Sequence, residues 1–275
     1  MLTGARTAAR EARAVAIPTA MARPRLDVVR ALGRVETRKL LRHPAFLAGL
    51  GLAAFFLLQA TLGAFDSEDG GGDQIDIGAV FVIVIGVALF MATPMGTNAC
   101  ALRTDRSGLR ELYGSLPSVP QTRTAALLLG LVRGPVLLTA AVAVVAYPVL
   151  RAVPEFEEHV DLVLLAQAPL TTLALGAIGV GLARWLRHPI GGPLIVVAHV
   201  FTPLIWALPW VAPASGPDGF EMGWHYGYLG AQIALWVSIA FAGDRRRGRA
   251  LIVPALALVA VVVCAAQQIP EGGIA

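Results

Sequence analysis

A chain of 275 residues that is 56% hydrophobic, only 15% charged and has a mean hydropathy of +0.69 is not an ordinary soluble domain, in which about a quarter of the residues are charged. It is an integral membrane protein, because apolar runs of roughly 20 residues, each able to cross ~30 Å of hydrocarbon as a helix, recur along its whole length. The pI near 9.6 does not argue for nucleic-acid binding, since the basic residues are dispersed over short connecting segments instead of gathered on one folded domain.

Residues 1–24 are a basic tail, expected to be disordered and cytoplasmic, without the apolar core and small-residue cleavage site of a secretory signal. Over residues 25–42 the pattern becomes helical: Leu26, Val29, Leu32 and Val35 recur on one stripe and arginines occupy the rest, which describes an amphipathic helix lying in the headgroup layer. The first span is expected over Ala45–Phe65, ending in an acidic, glycine-rich turn. A second runs from Ile77 to about Asn98, with Thr93, Pro94, Gly96, Thr97 and Asn98 expected to loosen its inner end.

The loop at 103–124 is the longest charged segment between two apolar runs. It offers a short amphipathic helix with Leu109, Leu112 and Tyr113 on one face and Arg106, Arg110 and Glu111 around the rest, stopped by Pro117 and Pro120. Taken alone, it is equally a plain solvated connector. The third span, Ala125–Leu150, is longer than a bilayer requires, so its first turns are expected to stand in the cytoplasm with Arg133 near the inner interface. A fourth span follows from Leu162 to about Ala183, with Gly176, Gly179 and Gly181 suited to close helix packing. The fifth is expected from Pro193 to about Val211, the sixth over Tyr226–Gly243 and a seventh over Leu251–Gln267. Trp206, Trp210 and Trp224, with Tyr226 and Tyr228, suggest an interfacial aromatic belt.

Charge tests this arrangement. With the N-terminus inside, 20 of the 22 basic residues fall on cytoplasmic segments, Arg133 lies in or near the membrane and only Arg151 falls outside; the acids divide 12 outside to 6 inside. That is the positive-inside distribution. The two cysteines, Cys100 and Cys264, fall toward opposite sides of the membrane, so no disulfide between them is expected.

Signatures of chemistry are few. Lys39 is followed by Leu40, so there is no phosphate-binding G-x-x-x-x-G-K-[ST] loop, and neither G-x-S-x-G nor H-E-x-x-H occurs. No catalytic, metal or cofactor residues are assigned, and the chain is not expected to be an enzyme. Gln167, His199 and Gln232 are polar residues inside predicted spans and are singled out there as candidate functional sites; a packed, hydrogen-bonded bundle residue is the commoner outcome.

Three stretches carry a family likeness: RVETRKLLRHPAFLAGLGL at 34–52, DRSGLRELYGSLPSVPQTRTAALLL at 105–129 and GWHYGYLGAQIALWVSIAFAGDRRRGR at 223–249. In layout and residue types the chain resembles the membrane subunits of bacterial type-2 ABC exporters, most of all actinobacterial ones. The resemblance implies an all-α polytopic permease domain over 25–249, with an elbow helix at 25–42 and a coupling loop at 103–124. It implies that Arg106, Leu109, Arg110, Glu111, Leu112 and Tyr113 contact a separate ATP-binding subunit, which would hold the ATP and magnesium. It also implies a second permease, identical or related, in the cell membrane. The family usually has six spans, so 250–275 is an extra C-terminal helix with a short external tail. The other reading is a secondary carrier, or a structural or sensory membrane protein with no ATPase partner. The sequence lacks the intramembrane carboxylates and evident inverted repeats that a secondary carrier would be expected to show.

Overall fold

The computed structural model describes residues 26–66, 92–103, 120–151, 162–186, 188–206, 222–243 and 251–267; apart from two short turns these are all helical, and no strand occurs among them. In chain order the helices are α1 (Leu26–Leu41), α2 (Pro44–Asp66), α3 (residues 92–103), α4 (Pro120–Leu131), α5 (Leu137–Arg151), α6 (Leu162–Leu186), α7 (Gly191–Trp206), α8 (Met222–Gly243) and α9 (Ile252–Gln267). Among the described residues, Gln121–Val145, Leu165–Leu186 and Gly223–Gly243 are long and apolar enough to cross a membrane. They mark a membrane protein, and they coincide with the expected third, fourth and sixth spans.

Two local expectations change. Pro120 opens α4 instead of only ending what precedes it, because a proline at the first helical position loses an N–H that would have had no partner anyway. The inner end of the second span is not loosened: α3 is regular helix through residue 103. Thr97 Oγ1 donates to the carbonyls of Thr93 (2.9 Å) and Pro94 (3.2 Å), so its hydroxyl is satisfied within the helix in place of water.

A π-helical turn, Val132–Val136, joins α4 and α5 into one rod. Its cause is Pro135, which has no N–H to give the preceding turn. The Leu137 N–H reaches back to the Val132 carbonyl, five residues away, and Thr139 Oγ1 takes up the Pro135 and Val136 carbonyls at 2.9 Å each. The Leu137 bond gives a carbonyl ahead of the proline an N–H from one residue further on than in an α-helix, and the Thr139 hydroxyl is satisfied within its own helix, as a low-dielectric setting demands.

The bundle is organised on α6, whose residues from Ala174 to Gly181 are all buried. Small residues make this possible, since lipid and protein core are equally apolar and helices associate in a bilayer through close packing. A methyl group added at Gly176 would lie 2.4 Å from the Leu131 side chain, one at Gly179 2.2 Å from Thr97 Oγ1, and one at Gly181 2.8 Å from the Trp236 ring. The α6–α8 contacts pair Gly181 with Trp236 and Ile239, and Gly243 with Arg184 and Trp185, so the two helices run parallel in a constant register. Trp185 Nε1 donates to the Ile239 carbonyl at 3.0 Å at the same level.

Candidate functional site

The most distinctive chemistry gathers at the end of the bundle where α1, the α1–α2 turn and the last turns of α3 meet. α1 ends here because Arg42 and His43 break the helix before Pro44, which favours extended backbone in the residue before it and starts α2. Ala45 N–H then donates to His43 Nδ1 at 3.3 Å, so the imidazole caps α2. An open groove of about 550 Å³ lies against this turn, with Arg38, Lys39, Arg42, His43 and Arg103 around it and Ala99 and Cys100 along its floor. Lys39 Nζ is bridged to Glu36 Oε1 at 2.8 Å on the rim. Burial, and then the Arg103 charge, hold His43 below its ordinary pKa of 6.5, which keeps Nδ1 available as an acceptor. Burial and the Glu36 carboxylate push the Cys100 thiol up to about 11, so at neutral pH this sulfur is protonated and a poor nucleophile.

α1 is fixed to this end by its other face. Val29, Gly33 and Leu40 are buried and Leu32 half-buried, while Leu26 and Val35 are exposed. The proposed stripe of Leu26, Val29, Leu32 and Val35 is therefore divided between a packed side and an open one. Gly33, with Thr37 one turn on, decides which side packs. Gly33 meets Leu129 and the Ala126 carbonyl, Gly130 meets Glu36 and the Thr37 backbone, and Gly134 meets Thr37 and Leu41. Thr37 Oγ1 donates to the Gly33 carbonyl at 2.9 Å and, at 3.4 Å, lies near that of Gly130. The helix thus runs parallel to α4, close against it for two turns, down to the π-helical turn. Arg133, in that turn, is exposed.

The intramembrane candidates do not form one site. Gln167 is buried on α6, and Gln232 is buried on α8, donating to the Tyr228 hydroxyl. The α6–α8 register sets Gln232 level with about residue 175, so the two amides differ in height by roughly 12 Å at 1.5 Å per residue. His199 lies in α7, and its side chain falls outside the described residues. The coupling residues Arg106, Leu109, Arg110, Glu111, Leu112 and Tyr113 lie outside them too, as do Trp210 and the acidic turn that follows the first span. Tyr228 does not belong to an aromatic belt: it is buried, with its ring stacked at 6.4 Å on the fully buried His225.

Sequence reasoning missed His225, having taken it for a loop residue, and missed the capping role of His43. A signal for the latter was present. The tetrapeptide Leu-Arg-His-Pro occurs twice, at 41–44 and 186–189, each time just before an apolar run, and His188 Nδ1 likewise accepts the Ile190 N–H at 3.2 Å. Among the described residues no three His, Cys, Asp or Glu side chains are grouped to hold a metal ion. No protein-family model, curated protein or solved structure matches the chain.

Proposed function

We propose that this chain is the permease subunit of an ATP-driven exporter, crossing the cell membrane seven times with its N-terminus inside and working as a dimer with a separate ATP-binding subunit. One observation carries the reading beyond the resemblance: how the two ends of segment 104–119 are mounted. Ala101 and Leu102 at the end of α3, Leu127 and Leu131 of α4, and Leu40 of α1 share one buried cluster with Val180 and Ala183 of α6 and Ala240 of α8. A force applied to the segment enters α3 and α4 together, and α1 moves with them because it lies along α4. The cluster hands that force to α6 and α8, the centre of the bundle. This is the rigid mounting that a coupling loop needs to bias a two-state bundle from outside. The described basic residues Arg38, Lys39, Arg42, Arg103 and Arg184 lie at this same end of the helices, in keeping with a cytoplasmic face.

The mechanism is mechanical. ATP closes the partner ATPase pair, the loop and elbow helix follow, and the two permeases rock between inward and outward openings. Apolar anchors in a desolvated cleft carry more binding energy than charges on its rim. Leu109→Asp or Leu112→Asp is therefore expected to abolish co-purification of the ATPase and transport while leaving membrane insertion intact, because a carboxylate in an apolar cleft costs several kcal/mol. Arg110→Ala is expected to weaken the complex less, and in a salt-dependent way. If both leucine variants retain the ATPase as well as the parent does, the loop is an ordinary connector and the exporter reading loses its support.

A further inference from the structure

We propose that the groove between α1, the α1–α2 turn and α3 binds the phosphate-bearing headgroup of an anionic membrane phospholipid, with an acyl chain laid along the exposed face of α2. The inference rests on the protein being in a membrane and is independent of the exporter reading. Arg38, Lys39, Arg42 and Arg103 converge on one concave surface, with the Glu36 carboxylate, bridged to Lys39, on its rim. Basic side chains gathered in a concave site focus positive potential there and raise the local concentration of anions. Three of the four are arginines, whose planar forks match two phosphate oxygens at once, and the weaker hydration of guanidinium suits a site at the edge of the hydrocarbon.

A second feature separates a lipid from a free anion. Pro44 lines the groove, and the face of α2 that continues from it is apolar and open: Leu47, Phe55 and Leu58 are exposed, and nothing approaches within 4 Å of where a methyl group on Gly51 would lie. These positions lie on the same side of the helix as Pro44, three, seven, eleven and fourteen residues on. From Leu47 to Leu58 the stripe is roughly 16 Å long, enough to accompany much of an acyl chain. A basic pocket opening onto such a stripe is complementary to a negatively charged head with a tail. Inorganic phosphate would leave the stripe unused, and a zwitterionic head would bring its own cation into the arginines.

The test uses the full-length protein in neutral detergent, titrated separately with phosphatidylglycerol, phosphatidylcholine and inorganic phosphate. Native mass spectrometry counts retained lipid, and a thermal melt reads stabilisation. Phosphatidylglycerol is expected to be retained and to raise the melting temperature, and the other two are not. Arg38→Gln/Arg42→Gln is expected to weaken phosphatidylglycerol by roughly tenfold or more. Arg38→Gln alone, which leaves Arg42 beside the first span to guide insertion, should weaken it about threefold. Arg30→Gln/Arg34→Gln removes the same charge from the exposed side of α1 and should change it by less than about twofold. Equal retention of phosphatidylcholine, equal loss in both double variants, or full retention by Arg38→Gln/Arg42→Gln overturns the proposal. Displacement of phosphatidylglycerol by millimolar phosphate would make this a free-phosphate site. Should Arg38→Gln/Arg42→Gln keep the lipid and lose the ATPase instead, the groove docks an acidic protein surface and the lipid assignment falls.

Discussion

α6 and α9 are both apolar helices free of acidic residues, yet they sit in opposite surroundings. From Ala174 to Gly181 α6 is enclosed on every side, whereas α9 buries only Pro254 and Ala257, with Ala260, Val261, Cys264 and Ala265 half-covered along the same stripe. Leu256, Val259 and Val262 of α9 are exposed. The difference follows side-chain size, not hydrophobicity. Where glycine or alanine recurs, backbones approach and dispersion contacts multiply; where leucine and valine recur, the helix faces outward to acyl chains that solvate it equally well.

The largest test of this contrast is Gly179→Val. The new side chain would meet not only Thr97 Oγ1 but the Pro94 carbonyl oxygen at 2.7 Å, backbone that cannot rotate aside. A loss of about 3 kcal/mol or more is expected, read as a collapse in folded yield and melting temperature in detergent. Gly130→Val comes next, at about 2 kcal/mol, because its Cβ would lie 2.9 Å from Glu36 Cβ and 3.0 Å from the Thr37 nitrogen. Its specific mark is release of α1, seen as faster tryptic cleavage at Arg30 and Arg34 than in the parent protein.

His43→Ala is smaller, about 1 kcal/mol, the usual cost of a lost cap. The folded state takes up a proton at His43 less readily than the unfolded chain, because its pKa lies below 6.5. The stability due to the neutral imidazole is therefore complete above about pH 7 and falls as the pH drops through 6.5. A melt followed from pH 8 to pH 5 should show that slope in the parent and a shallower one in His43→Asn, which keeps an acceptor that does not titrate. The smallest effect belongs to Val259→Ala on the open face of α9, within ~0.5 kcal/mol. A loss above ~1 kcal/mol there would mean that this face is covered by protein, as a permease dimer could do.

The helical class, the positions of the third, fourth and sixth spans and the close-packing glycines of α6 were legible in the sequence, because span length and charge are written in single residues and their spacing. Which side of each helix packs was not. Leu26, Val29, Leu32 and Val35 look alike on a helical projection, and only the fit of Gly33 and Thr37 against Gly130 and Gly134, about a hundred residues away, separates the buried ones from the open ones. The basic groove was equally hidden. Arg38, Lys39 and Arg42 were counted as orientation signals, and nothing local told that Arg103 would join them. His225 was lost to a boundary placed four residues late, at Tyr226 instead of Met222.

The π-helical turn has a consequence for geometry at a distance. Leu127, Leu131, Pro135, Thr139 and Ala143 are all buried, every fourth residue over sixteen. In an unbroken α-helix, steps of four advance by about 40° each, so Ala143 would end roughly 160° around the axis from Leu127. One residue absorbed by the wider turn takes back about 100° of that, leaving the two roughly 60° apart. The rod formed by α4 and α5 thus keeps one azimuth from the level of α1 deep into the bundle, and a twist given to its lower half arrives at its upper half in phase.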